Sequence, residues 1–173
     1  ERLNKVTIKP MTEHDADVVA EILSCPEQTR FLPNERPYSK EQQQTYIRNR
    51  LHHWQQHGFG SYIIELNSSP TMKLGFVGAE HSPDPSFIDM RFALAKQHAG
   101  KGYMLQTCKL LLREFFLQPK QDMLYGAAMN ENKSSLTVLK KIGMQPGSGL
   151  GFYQCDGLQY FSLSREQYHD SVS

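Results

Sequence analysis

The stretch from Phe87 to Phe115 constrains the fold more than any other part of the chain. Phe87–Leu94 alternates, placing Asp89, Arg91 and Ala93 on one side and Ile88, Met90, Phe92 and Leu94 on the other, as in a strand. After Gly100-Lys101-Gly102 the period changes. Met104, Cys108, Leu111, Leu112 and Phe115 recur at helical spacing. A strand, a glycine turn and an amphipathic helix must follow one another here. Pro119 closes that unit, and the apolar run Met123–Ala128 reads as a buried strand.

The flanking segments fill in around this unit. Val6–Ile8 reads as a first strand stopped by Pro10. Thr12 with Asp15 and Ser39 with Gln42 resemble capping boxes. They open one helix carrying Ala16, Val19, Ala20 and Leu23, and a second carrying Ile47, Leu51 and Trp54 that ends at His57-Gly58. Cys25–Pro37, with three prolines, is expected to be a structured loop. Ser61–Leu66, Lys73–Gly78 and Phe87–Leu94 are expected to form an antiparallel meander with turns at 67–70 and 82–85. Ser134–Ile142 is a short helix with Gly143 at its C-terminal end. Gly151–Tyr153 and Tyr160–Leu163 are expected to pair across an Asp156-Gly157 turn. The order β-α-α-β-β-β-α-β-α-β-β predicts a single α/β domain over residues 1–173, its mixed, mostly antiparallel sheet flanked by helices on both faces.

Several function classes are disfavoured. A formal net charge of +1 and the lack of a basic stripe argue against nucleic acid as a partner. No apolar run approaches the roughly 20 residues that span a bilayer, so no membrane partner is expected. No signal-peptide pattern is visible. The three cysteines, Cys25, Cys108 and Cys155, are widely spaced without a CxxC. That suggests neither a zinc motif nor a disulfide framework and makes the cytoplasm the expected compartment.

The chemistry is concentrated in Gln97-His98-Ala99-Gly100-Lys101-Gly102-Tyr103-Met104. A helix start leaves about four N–H groups without intrahelical partners and carries partial positive charge. Glycines there let an anion approach the backbone. The segment lacks GxxxxGK[ST] and the full GxGxxG pattern, so it is neither a P-loop nor a dinucleotide fingerprint. Asn130 and Asn132 follow the next strand, and Ser135 lies three residues beyond Asn132. These fit either an N-cap or a set of polar groups for an amide-rich ligand.

Together these segments resemble the GNAT superfamily of N-acetyltransferases, and within it the ribosomal-protein N-terminal acetyltransferase-like branch. Gln97-x-x-Gly100-x-Gly102 is similar to the family's pyrophosphate loop. Asn132-x-x-Ser135-x-x-Val138-Leu139-Lys140-Lys141-Ile142-Gly143-Met144 is similar to that branch's second motif, with Ile142 and Met144 as conservative departures. The resemblance implies acetyl-CoA as co-substrate, with no metal required, and an amine as acceptor. It implies that backbone amides of Gly100–Met104 hold the pyrophosphate, that the strand edge at Leu94-Ala95 pairs with the pantetheine arm, and that Asn132 bonds the arm. Lys101 either adds charge near the phosphates or is simply exposed. A monomer or a homodimer fits equally.

Acyl transfer to an amine needs a base, an oxyanion donor and a proton source for the thiolate. Asp89 is the first candidate base, with Glu80 and His81 as alternatives. A surface Asp89–Arg91 pair is the plain structural alternative for Asp89. A backbone N–H at Leu94 or Ala95 is the expected oxyanion donor. Where many relatives carry an acidic tyrosine this chain has Leu139, which leaves Ser135 as the candidate hydrogen-bond donor to the thiolate. No cysteine sits with a histidine as a nucleophile pair, so direct attack by the amine is expected. Phe31, Leu32, Tyr38, Tyr153 and Gln154 are the expected acceptor walls. Protein N-termini, amino acids and aminoglycoside-like amines all remain open as acceptors. The rival readings are a non-catalytic acyl-CoA-binding module and a nucleotide-binding protein.

Overall fold

The computed structural model describes residues 4–32, 35–147 and 150–173. Strand β1 (Val6–Pro10) leads into a 3-10 turn at Glu13–Asp15 and helix α1 (Ala16–Leu23). Thr12 and Asp15 form the reciprocal capping box the sequence suggests. A second box, Ser39 with Gln42, opens α3 (Lys40–His57), which ends at Gly58 with φ +73°. Between these helices lies a short helix α2 (Pro26–Thr29), started by proline at its first position, where an irregular loop was expected.

Strands β2 (Ser61–Leu66), β3 (Ser69–His81) and β4 (Ile88–Leu94) form the antiparallel meander. β3 is longer than the sequence suggests, starting at Ser69 and running to His81. Then come α4 (Tyr103–Phe116), β5 (Met123–Met129), α5 (Lys133–Lys141), a two-residue β6 (Gln145–Pro146), β7 (Leu158–Ser164) and α6 (Arg165–Val172). The expected final strand pair needs correction. Phe152 and Tyr153 lie in a turn, and the partner of β7 on that side is β6. The C-terminal helix α6 was also not expected from the sequence.

The sheet order is β1-β2-β3-β4-β5-β7-β6. Its two halves meet at the parallel pair β4 and β5, which are in register only at Asp89 and Tyr125. Beyond that point no pairing joins them among the described residues, so the sheet opens toward the C-terminal end of β4. On one face Leu111, Leu112 and Phe115 of α4 pack with Leu74, Val77, Leu124, Leu139 and Phe161. On the other, Val19, Ile22 and Leu23 of α1 and Ile47 of α3 pack with Ile63 and Phe76. Alternation along β4 sends Met90 into the first core, while Ala95 belongs to the second. Asp89 and Arg91 therefore face α3.

Candidate active site

β4 and β5 run parallel, and each is followed by a helix, so the N-termini of α4 and α5 both lie at the end where the strands separate. Crevices beyond the carboxyl ends of parallel strands are favoured ligand sites. The two helix starts differ. α5 is capped: the Asn132 side chain accepts from the Ser135 N–H at 3.3 Å. α4 has no side-chain cap. Gly100 and Gly102 both have φ +79°, a backbone conformation that glycine adopts without strain. They carry the chain from the 3-10 turn Lys96–His98 into α4. Among the described residues, the N–H groups of Gly100 to Met104 meet no intramolecular acceptor. The partial charge of a 14-residue helix is thus presented to solvent through a run of free donors. Of the other loop residues, Gln97 turns away and donates its amide to Glu21 of α1 at 2.7 Å, Lys101 is exposed, and His98 is half-buried.

At the end of β4 the Ala95 N–H donates to the Leu74 carbonyl at 2.9 Å. Hydrogen bonding alternates along an antiparallel pair. Leu94, opposite Gly75, therefore turns its N–H and C=O away from β3, toward the opening. The Leu94 carbonyl accepts from the Gln28 side chain of α2. The Ala95 N–H is therefore engaged, and the Leu94 N–H is the one that faces the gap.

A buried polar cluster fills the α3 side of the same region. Asp89 is 2% exposed, which excludes the surface-pair alternative. Its Oδ2 accepts from the Tyr153 hydroxyl. Its Oδ1 lies 3.8 Å from Arg91 Nε and receives no hydrogen bond. Burial pushes the Asp89 carboxyl above its ordinary value, against the opposing pull of the Arg91 cation and the Tyr153 bond. Burial also raises the Tyr153 phenol, with the Asp89 charge adding to it. For Arg91, burial acts to depress the pKa, but the Asp89 carboxylate and its neighbours hold it above its usual range.

Glu80, directly opposite Asp89 on β3, is fully buried and accepts from Ser61 Oγ at 2.8 Å. Arg50 of α3 brings Nε to 2.7 Å from Glu80 Oε2, an ion pair by distance although its N–H is not aimed squarely at that oxygen. The same guanidinium lies over the Tyr46 ring at 4.5 Å. The two carboxylates and two guanidiniums balance, so the cluster offers no net negative hole. Outward from it a shallow depression of about 360 Å³ runs along α3, lined by Tyr38, Glu41, Gln42, Thr45, Tyr46 and Asn49.

The structure brings Asp89, Glu80 and Tyr153 together. His81 takes no part: it lies beside His53 and His57 instead. Asn130 is exposed, with its backbone N–H on the Gly157 carbonyl at 2.8 Å. Ser135 is half-buried and its hydroxyl has no partner among the described residues. Leu139 is buried in the core and cannot donate a proton. Tyr46, Arg50, Gln28 and the half-buried placement of Arg91 beside Asp89 are what sequence reasoning missed. The only signal was that Asp89 and Arg91 share a strand face.

Comparison with known proteins decides the family. The acetyltransferase (GNAT) domain family matches residues 5–145. The chain belongs to the GNAT acetyltransferases. Solved structures agree on the fold. An acetyltransferase from Agrobacterium tumefaciens str. C58 superposes with a TM-score of 0.82 at 19% identity, covering 94% of this chain and 92% of that one. The spermidine N-acetyltransferase from Vibrio cholerae, solved with CoA and spermine, gives 0.77 at 15%, covering 96% and 99%. The aminoglycoside acetyltransferase solved with ribostamycin and coenzyme A gives 0.79 at 20%, covering 98% of each chain. No helix among the described residues is long and apolar enough to cross a membrane.

Proposed function

We propose that this GNAT-family chain transfers an acetyl group from acetyl-CoA to a primary amine by direct attack. The observation that carries the reading is the uncapped α4 N-terminus, with free N–H groups from Gly100 to Met104, set beside the open edge of β4. A pyrophosphate suits that turn, and an extended amide-bearing arm suits the open β4 edge, where the Leu94 C=O can accept from the arm in place of Gln28. Asn132, whose Oδ1 serves the α5 cap, keeps its amide nitrogen for the arm.

In this mechanism the neutral amine adds to the thioester carbonyl. The Leu94 N–H stabilises the oxyanion. Asp89, with Oδ1 buried and left without a hydrogen bond and Oδ2 held by Tyr153, takes the amine proton by relay through water rather than by direct contact. A carboxyl raised above its ordinary value is a better base for this step than an exposed one, because its affinity for the proton is greater. The tetrahedral intermediate then expels the CoA thiolate, which the Ser135 hydroxyl hydrogen-bonds as it takes a proton from solvent. The balanced charge around Asp89 and Glu80 favours a monoamine flanked by neutral or mixed groups over a polycation. The test is release of free thiol from acetyl-CoA in the presence of a panel of primary amines. Amine-dependent release that stops in Asp89→Asn supports the reading, and thiol release from no amine overturns it.

A non-catalytic CoA-binding role is the second reading, favoured by Leu139, which is buried in the core at the position where the family resemblance leads one to expect a tyrosine. It predicts tight CoA binding without turnover.

A further inference from the structure

Away from the β4–β5 opening, three histidines converge where the last turn of α3 crosses the end of β3. His53 and His57 are four residues apart on α3, so they share one helix face. His81 is the last residue of β3. Ring centroids are 4.5 Å apart for His53–His57, 4.4 Å for His57–His81 and 5.6 Å for His53–His81. One ring nitrogen from each lies within 4.8 Å of the others.

Two of the rings are oriented by the protein. His53 Nδ1 lies 2.9 Å from the Phe59 carbonyl and His81 Nδ1 lies 2.9 Å from the Pro85 carbonyl. A carbonyl only accepts, so both Nδ1 atoms carry the proton and both Nε2 atoms keep their lone pairs. A histidine that donates its second nitrogen to a backbone carbonyl is the usual arrangement of a metal ligand. His57 is exposed and makes no hydrogen bond among the described residues, so it is free to turn.

From this geometry we infer a site for a divalent transition-metal ion of the zinc class, held by His53, His57 and His81, with solvent completing the coordination. Imidazole nitrogens suit zinc, copper and nickel. Tetrahedral zinc with Zn–N of about 2.0–2.1 Å sets nitrogens about 3.3 Å apart. The nitrogens, within 4.8 Å of one another, therefore need to close by about 1.5 Å at most, through rotation of the exposed His57 side chain and a small approach of the His53 and His81 rings. Binding exchanges one existing contact, the 3.1 Å bond from the His81 backbone N–H to His53 Nε2, for a coordinate bond. Phe59, buried against Phe115, forms the apolar wall behind the rings. Occupancy ties the end of α3 to the end of β3. His81 also adjoins Glu80, so the ion lies one residue from the buried cluster. The three positions are too dispersed, across Gly58–Glu80, to show as a zinc motif in sequence.

The test is calorimetric titration of the untagged, full chain with Zn²⁺, together with thermal melts. The expected result is saturable one-to-one binding that raises the melting temperature. His57→Ala should weaken it by about 10- to 100-fold or more, since even losing an outer partner of a metal ligand costs that range. His81→Gln should do the same. His14→Ala and Cys155→Ser, which change exposed or partly exposed groups elsewhere, should leave binding intact. Co²⁺ should give a spectrum without thiolate charge transfer. Absence of saturable binding, binding equally tight in His57→Ala, or a thiolate signature in the Co²⁺ spectrum would each overturn the site.

Discussion

Replacing Tyr153 by phenylalanine tests the proposed base through the group that holds it. The phenol donates to Asp89 Oδ2, and that bond favours the ionised carboxylate. A hydrogen bond to a charged group contributes about 1.5–3 kcal/mol. At 1.36 kcal/mol per pKa unit, its loss raises the Asp89 pKa by about one to two units. The sign is fixed by the chemistry. Only ionised Asp89 accepts a proton, so kcat/KM falls as pH drops through the folded-state pKa. That acid limb already lies above the ordinary carboxylate range, because burial raises the group. In Tyr153→Phe the limb moves further up in pH, while the plateau at high pH changes less. The assay is thiol release against pH for wild type, Tyr153→Phe and Asp89→Asn, with circular dichroism confirming that each is folded. Asp89→Asn should abolish the limb and lower the plateau by about 10²–10⁴-fold. A limb that stays in place in Tyr153→Phe, or survives in Asp89→Asn, would refute Asp89 as the titrating base.

Other perturbations read the remaining parts of the site. Gly100→Val forces a β-branched residue to φ +79°, at a cost of about 1–2 kcal/mol, and should weaken acetyl-CoA binding measured by calorimetry by tenfold or so; unchanged affinity would remove the pyrophosphate cradle. Ser135→Ala should lower kcat more than it raises KM, and the reverse pattern in steady-state kinetics would reduce Ser135 to a binding role. Gln28→Ala frees the Leu94 carbonyl and should tighten acetyl-CoA binding by about fivefold, the equivalent of one hydrogen bond of about 1 kcal/mol. Weaker binding in that variant would mean that Gln28 itself contacts the donor.

Much of this architecture was legible because periodicity and caps agree. The boxes at Thr12–Asp15 and Ser39–Gln42 start the helices they announce, and the Phe87–Phe115 switch of period marks β4 and α4. The misreadings have physical causes. β3 is buried on both faces from Leu74 to Glu80, so its sequence does not alternate and its ends are hidden. α6 buries no residue and so lacks an apolar stripe, although its Ser164–Gln167 capping box was available as a signal. β6 is two exposed residues long and offers no pattern at all. In the site, the backbone features were readable from Gly100 and Gly102. The buried pairing of Glu80 with Arg50 and of Asp89 with Tyr153 was not, because it joins residues 30 and 64 positions apart. Charged residues are also rarely fully buried unless paired, and the pairing is invisible in one sequence.

The central claim is that the α4 N-terminus and the β4 edge hold an acyl-CoA. Calorimetric titration with acetyl-CoA, with and without Mg²⁺ and with ATP as control, tests it most directly. The account predicts saturable acetyl-CoA binding that does not depend on Mg²⁺ and exceeds any binding of ATP. No binding of acetyl-CoA, or binding of ATP alone and only with Mg²⁺, would contradict it.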